Sequence, residues 1–323
     1  MKGKALRSRL LNLLKVGISA GMLVYVLVFR VDLRALAETV SGARWGPLAG
    51  AGALAIAGVA LRAVRWLALL RALDIRVPLG RLVRLYFVGT FFNIFLLSGF
   101  GGDAIRMMEL ARHSKRTPEA IGTVLVDRAT GLWVLFVLAL LALPFGSAGI
   151  PRETVLLIAA VSVVGVVGGW LAMGTRLIPW LGSRVKLPGQ AKLERFYRAV
   201  GGCGYVALGQ ACGISLAFNL LNITVNYLIA RGFNVDLPYG LFFLFTPLVS
   251  LSLMLPSVGG LGVREETFRL VYGTVGVPDS TAVAMSLSNY GLQTLLPGLI
   301  GAVLYAVEGA SELKGRPDPE MQE

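Results

Sequence analysis

Of 323 residues, 55% are hydrophobic and only 15% charged, with a mean hydropathy of +0.71, a balance that excludes both a soluble globule and a disordered chain. The 31 Lys and Arg outnumber the 18 Asp and Glu for a net charge of +13. These basic residues lie between apolar runs, so the partner they imply is the anionic inner leaflet and not nucleic acid. Cys203 and Cys212 share one apolar run and form neither a disulfide framework nor a metal site.

In chain order, Lys2, Lys4, Arg7, Arg9 and Lys15 precede an apolar stretch ending at Phe29. Only Arg30, Asp32 and Arg34 follow, with no small-residue cleavage site, which predicts a retained first helix. That helix and the first external loop occupy 1–45. A helix needs about 20 apolar residues to cross the hydrocarbon layer, and six runs meet that length: 10–29, 46–70, 119–144, 153–174, 204–230 and 280–307. Two further runs, 80–98 and 239–256, each lead into a glycine-rich motif and then a charged segment. Residues 176–203 form a basic interfacial linker containing Arg176, Arg184, Lys186, Lys192, Arg195 and Arg198. A polar cytoplasmic tail fills 308–323.

The chain is duplicated. Arg71-Ala-Leu-Asp-Ile-Arg-Val-Pro-Leu-Gly80 matches Arg231-Gly-Phe-Asn-Val-Asp-Leu-Pro-Tyr-Gly240 at an offset of 160. Leu97-Ser-Gly-Phe-Gly-Gly-Asp-Ala-Ile-Arg106 matches Leu255-Pro-Ser-Val-Gly-Gly-Leu-Gly-Val-Arg264 at 158, and Gly131-Leu132 matches Gly291-Leu292 at 160. The first repeat is 46–175 and the second 204–307. Such weak internal symmetry is a mark of transporters built from two structural repeats.

Lys and Arg gather on the cytoplasmic side of short loops, so their distribution tests the topology. If 80–98 and 239–256 both cross, the two sides hold 15 basic residues each. If both enter and leave by the same face, the split becomes 23 inside to 7 outside. The second arrangement predicts re-entrant hairpins at 80–110, from the cytoplasm, and at 238–270, from outside. Three full spans per period then invert the second copy. The expected fold is thus an all-α polytopic inner-membrane protein, an inverted repeat with about six full spans, both termini cytoplasmic, and two opposed hairpins meeting at a polar cavity.

The first hairpin motif, Asn93-Ile-Phe-Leu-Leu-Ser-Gly-Phe-Gly-Gly-Asp-Ala-Ile-Arg106, contains Ser98, Gly101, Gly102 and Asp103. Its glycines suit a tight reversal. A helix starting near Asp103 would offer free amides and the positive end of its dipole to an anion, with Arg106 one turn further in. The second motif repeats this with Gly259, Gly260, Arg264, Glu265 and Glu266. Two readings of these arginines stand together: they bind an anionic lipid headgroup, or Arg106 pairs with Asp103 and Arg264 with Glu265 or Glu266 to fix the hairpins. Asp127-Arg128 invites a similar reading, a cavity-facing Arg128 with Asp127 bonded elsewhere. Asn219, Asn222 and Asn226 form a polar stripe that either lines the cavity or joins helices, as do Asn289 and Gln293 on the last span. Arg62, Arg65 and Trp66 read as interfacial residues snorkelling toward headgroups. His113 reads as a solvated loop residue. No P-loop, metal-binding spacing or nucleophile-with-base pattern is legible, so neither cofactor nor metal is expected.

The run from Arg81 through Tyr86, Gly89, Phe91-Phe92-Asn93, the first glycine–arginine motif, Val126-Asp-Arg128 and Gly131 resembles the lysylphosphatidylglycerol synthase transmembrane region family. The second motif, ending at Glu265, adds to the likeness, which extends over nearly the whole chain. The resemblance implies lipid transport of the kind done by the family's flippase domains, and a headgroup role for Arg106, Arg128 and Arg264. The chain ends at Glu323, without the soluble aminoacyl-transferase domain of the full synthases, so lysine transfer is not expected.

The leading expectation is a flippase or scramblase moving an anionic or aminoacylated phospholipid or a polyprenyl-phosphate-linked glycolipid. Its rivals are an ion-coupled carrier of a small anion and a membrane-embedded enzyme using Asp103, Glu109 or Asp127 as a base. Expected partners are membrane lipids and either a second copy of the chain or a separate lipid-modifying enzyme.

Overall fold

The computed structural model describes residues 33–95, 101–114, 117–147, 149–174, 190–255, 257 and 260–314, and the regular elements among them are helical. In order they are α1 (Leu33–Ser41), α2 (Trp45–Ala72), α3 (Leu79–Phe95), α4 (Gly101–Ser114), α5 (Thr117–Gly146), α6 (Arg152–Gly174), α7 (Gln190–Gly232), α8 (Tyr239–Ser252), α9 (Val263–Gly273), α10 (Asp279–Tyr290), a π segment (Gly291–Leu295) and α11 (Leu296–Lys314). The predicted run 10–29, the hairpin tips with Ser98 and Gly259, part of the linker and the end of the tail lie outside the described residues.

Among the described residues, five helical stretches are long and apolar enough to cross a bilayer: Trp45–Ala72, Glu119–Gly146, Arg152–Leu171, Gly201–Gly232 and Asp279–Val307. They coincide with five of the six predicted runs. The 17 residues of α3 and 14 of α8 span roughly 26 and 21 Å, short of the ~30 Å hydrocarbon thickness. Helix α6 turns Leu156, Leu157, Val163, Val164 and Trp170 outward, an apolar face suited to lipid.

Several sequence expectations change. The predicted external loop contains α1. His113 lies in the last turn of α4, not in a loop. Gly204, with φ of 70°, interrupts helical geometry within α7 at the predicted boundary between linker and span. The last predicted run is not one regular α-helix, because the π segment divides it; such bulges are frequent at functional sites.

Local geometry repeats where the sequence does. Helices α2 and α7 end on Asp74 and Asn234, both in left-handed backbone at φ 54° and 58°. Aspartate and asparagine tolerate this conformation better than other side chains. The amides of Ile75 and Val235 then bond the carbonyls of Leu70 and Ala230 at 3.0 and 2.9 Å. Pro78 and Pro238 lead into α3 and α8.

Helices α2 and α7 pack antiparallel. Leu48 meets Gly232, Gly58 meets Phe218 and Leu221, Arg65 bonds Ser215 at 3.0 Å, and Cys203 lies 3.9 Å from the Leu69 carbonyl. The next layer crosses between the halves, α3 against α11 and α8 against α5. Both crossings need glycine: a Cβ on Gly301 would fall 2.0 Å from the Phe87 carbonyl oxygen, and one on Gly146 would fall 2.7 Å from that of Gly240. With lipid as solvent, such close backbone approach supplies much of the helix association.

Candidate functional site

Between the halves lies a cavity of about 350 Å³. Helix α2 supplies Arg62 and Arg65, α3 supplies Tyr86, Thr90 and Asn93, α4 supplies Asp103 and Arg106, and α5 supplies Asp127, Arg128 and Gly131. The second half contributes Asn219, Asn222, Asn226, Thr246, Gly260, Arg264, Asn289 and Gln293.

At its centre on the first-half side is Asp127. One carboxylate oxygen accepts from Arg65 Nε at 2.6 Å; the other accepts from the Tyr86 hydroxyl at 2.5 Å and from Arg106 Nη2 at 3.2 Å. Arg106 Nη1 reaches Asp103 at 3.1 Å, and Arg128 Nε pairs with the other oxygen of Asp103. The Arg106 guanidinium also lies 3.6 Å from the Tyr86 ring centroid and 4.3 Å from that of Trp66. Helical spacing places Arg62, Arg65 and Trp66 on one face of α2, and tertiary packing turns that face inward.

The interfacial reading of these three residues is therefore corrected. Arg65 is 4% exposed and Trp66 fully buried, with the indole N–H donating to Thr123 at 3.3 Å. Gly131 leaves room for Arg65, since a Cβ there would lie 2.6 Å from Nη1. Arg62 differs from its neighbours. Its guanidinium sits 5.4 Å from the ring centroids of both Tyr86 and Phe218, makes no ion pair among the described residues, and leaves a buried Nε without a hydrogen bond.

On the other side, Arg264 Nη2 pairs with Glu265 at 2.6 Å, its Nε donates to Ser286 at 3.0 Å, and its guanidinium lies 4.6 Å from the Tyr290 ring centroid. The second oxygen of Glu265 accepts the Gly262 amide at 2.6 Å, closing the start of α9. Gly260 and Gly262 hold φ of 81° and 82°, which glycine adopts without steric cost.

The expectation that the helix tips present free amides is also corrected in part. Helix α4 begins at Gly101, and the Gly102 amide is bonded to Asn93 Oδ1 at 2.6 Å. Asn93 thus caps α4, much as Glu265 caps α9. Gly101 and Gly102 are buried, and Gly102 meets Gly89 at the α3–α4 crossing. Asp127 is bonded to Arg65, Tyr86 and Arg106 and not to Arg128, yet both residues line the same cavity.

Two asparagine bonds join helices and a third runs along α7. Asn289 Nδ2 donates to Asn226 Oδ1 at 2.9 Å, Asn226 Nδ2 to the Asn222 carbonyl at 2.9 Å, and Asn219 Nδ2 to the Gly131 carbonyl at 3.0 Å. The cavity gathers Asn93, Asp103, Arg106, Arg128, Arg264, Gly260, Asn222, Asn226, Asn289 and Gln293 from the predicted set, while Glu265, Gly101 and Gly102 lie behind its surface. Sequence reasoning missed Arg62, Arg65 and Tyr86 and undervalued Asp127. The available signal was two arginines inside the 46–70 run, since charge within a membrane span marks function by default.

No curated protein matches the chain. Residues 12–301, by contrast, match the family described as lysylphosphatidylglycerol synthase TM region. The five apolar helices and this match establish a multi-pass membrane protein tied to membrane lipids. With most of its length covered, the chain belongs to the lysylphosphatidylglycerol synthase TM region family.

Proposed function

We propose that the protein moves a phosphate-bearing lipid between leaflets, as a flippase or scramblase of the inner membrane. The observation that carries this reading is the charge of the cavity: five arginines, Arg62, Arg65, Arg106, Arg128 and Arg264, line it against two carboxylates, Asp103 and Asp127, with a third, Glu265, behind its surface on Arg264. A surplus of positive charge within a helical bundle calls for an anion. Asp103 and Asp127 are held by arginines on both oxygens, which suits anchoring better than proton abstraction and disfavours the enzymatic alternative.

Purified protein in liposomes with fluorescent phospholipids in one leaflet is expected to speed their exchange, measured by chemical quenching from outside. Flux of a small anion without lipid exchange would instead support a solute carrier.

The architecture proposed to serve this movement is an inverted repeat with both termini cytoplasmic. Its support is the antiparallel packing of α2 against α7, which occupy equivalent positions in the duplicated sequence, and the reciprocal α3–α11 and α8–α5 contacts. The short α3–α4 and α8–α9 pairs would then dip into the membrane from opposite sides. Cysteines introduced as Arg112→Cys and Gly273→Cys, at the far ends of α4 and α9, are expected to react with impermeant reagents from opposite faces. Reaction from one face would refute the inverted topology.

A further inference from the structure

The two walls of the cavity differ in chemistry, and the difference bears on which headgroup it takes. At the positions of Arg62, Trp66 and Tyr86 the second copy, 160 residues on, has Asn222, Asn226 and Thr246. Excess positive charge is thus confined to the first-half wall, while neutral amides and hydroxyls face it.

Every carboxylate of the site is ion-paired with an arginine among the described residues. Asp127 receives Arg65, Arg106 and Tyr86, Asp103 receives Arg106 and Arg128, and Glu265 receives Arg264, Ser286 and the Gly262 amide. An ammonium group entering the cavity would meet no free carboxylate there. Arg62, in contrast, has two aromatic neighbours and no ion-paired carboxylate among the described residues. Ring contacts stabilise a guanidinium without neutralising it. Arg128, its side chain 33% exposed and paired with Asp103, also lines the cavity. On the opposite wall the amides of Asn222 and Gln293 make no side-chain hydrogen bond among the described residues and remain open to hydroxyls.

Building on the lipid-translocation reading, we infer that the occupant is a headgroup of net negative charge, a phosphodiester of a polyol or sugar without an amine. Its phosphate would lie on Arg62 and Arg128, and its hydroxyls on Asn222 and Gln293. A lysyl ester, with two ammonium groups, does not fit these residues.

The test compares vesicles containing tail-labelled phosphatidylglycerol, lysyl-phosphatidylglycerol or a glycosyl-phosphopolyprenol, with thermal stabilisation of the detergent-solubilised protein by short-chain forms of each. At least one of the two amine-free lipids is expected to exchange about tenfold faster than the lysyl ester and to stabilise the protein more strongly. Which of them does so identifies the tail. Arg62→Gln is expected to weaken that stabilisation about tenfold in apparent affinity, the typical effect of losing a charge-assisted contact, with Arg62→Lys retaining part of it. Equal or faster exchange of the lysyl ester overturns the inference while leaving lipid translocation standing. If no lipid moves, translocation itself fails and binding decides the inference: preference for amine-free heads upholds it, and parity or preference for the lysyl ester overturns it. Unchanged binding in a folded Arg62→Gln variant removes Arg62 as the anchor.

Discussion

Asp127→Asn is expected to be the most damaging single substitution in the first half of the protein, lowering stability by roughly 3–5 kcal/mol, the usual effect of breaking a buried ion pair by removing one partner. Asp127 is 1% exposed and accepts from two guanidiniums and a phenol. An asparagine keeps the shape but loses the charge, and its amide donors would face donors from Arg65 or Arg106. Both arginines would remain buried without their shared counter-charge. The measurement is thermal unfolding of the purified protein, read as loss of the monodisperse peak on size exclusion. Arg62→Gln supplies the contrast: with no ion-paired carboxylate among the described residues to leave stranded, it should destabilise far less than Asp127→Asn. Equal stability of Asp127→Asn and the unaltered protein would refute the anchoring role of this carboxylate.

Arg264→Met is expected to destabilise by a comparable amount, roughly 3–5 kcal/mol, because it strands a fully buried Glu265. Arg264→Met combined with Glu265→Gln should recover most of that loss, since replacing both members of a buried pair is often close to neutral. This double variant separates the two roles open to Arg264. All of its described polar contacts go to Glu265 and Ser286, and it stacks on Tyr290. The expected result is therefore a stable protein whose lipid exchange stays within about threefold of the unaltered rate, a difference below 1 kcal/mol. A stable but inactive double variant would instead make Arg264 a headgroup ligand.

The two halves use the same glycine–arginine motif with different partners. In the first, Arg106 belongs to a chain of charges extending from Asp103 to Arg65 across three helices. In the second, Arg264 closes on its own neighbour, and Glu265 takes the part of Asn93 by accepting a glycine amide, that of Gly262, at the start of the helix. Leu261, where the first copy has Asp103, removes the carboxylate that would extend the second network. The halves thus share a backbone plan and diverge in charge.

Hydropathy along the chain was enough to delimit five spans to within a few residues, because transfer from water to lipid depends on the composition of about 20 consecutive residues and hardly on their neighbours in space. The duplication was legible for a similar reason: left-handed caps at Asp74 and Asn234 and the prolines that follow leave residue-type signatures at fixed offsets. Partner choice was not legible. Arg65 and Asp127 are 62 positions apart, and Asn226 and Asn289 are 63 apart. An arginine near a span's end reads as snorkelling unless the rotation of its helix is known, and rotation is decided by packing against neighbours such as Ser215 and Gly131. Residue order and composition alone specified a duplicated, multi-pass helical protein with charges inside its spans. Which charges neutralise each other, and that Arg62 faces the cavity without an ion pair among the described residues, emerges in three dimensions, because burial and pairing depend on the approach of helices distant along the chain.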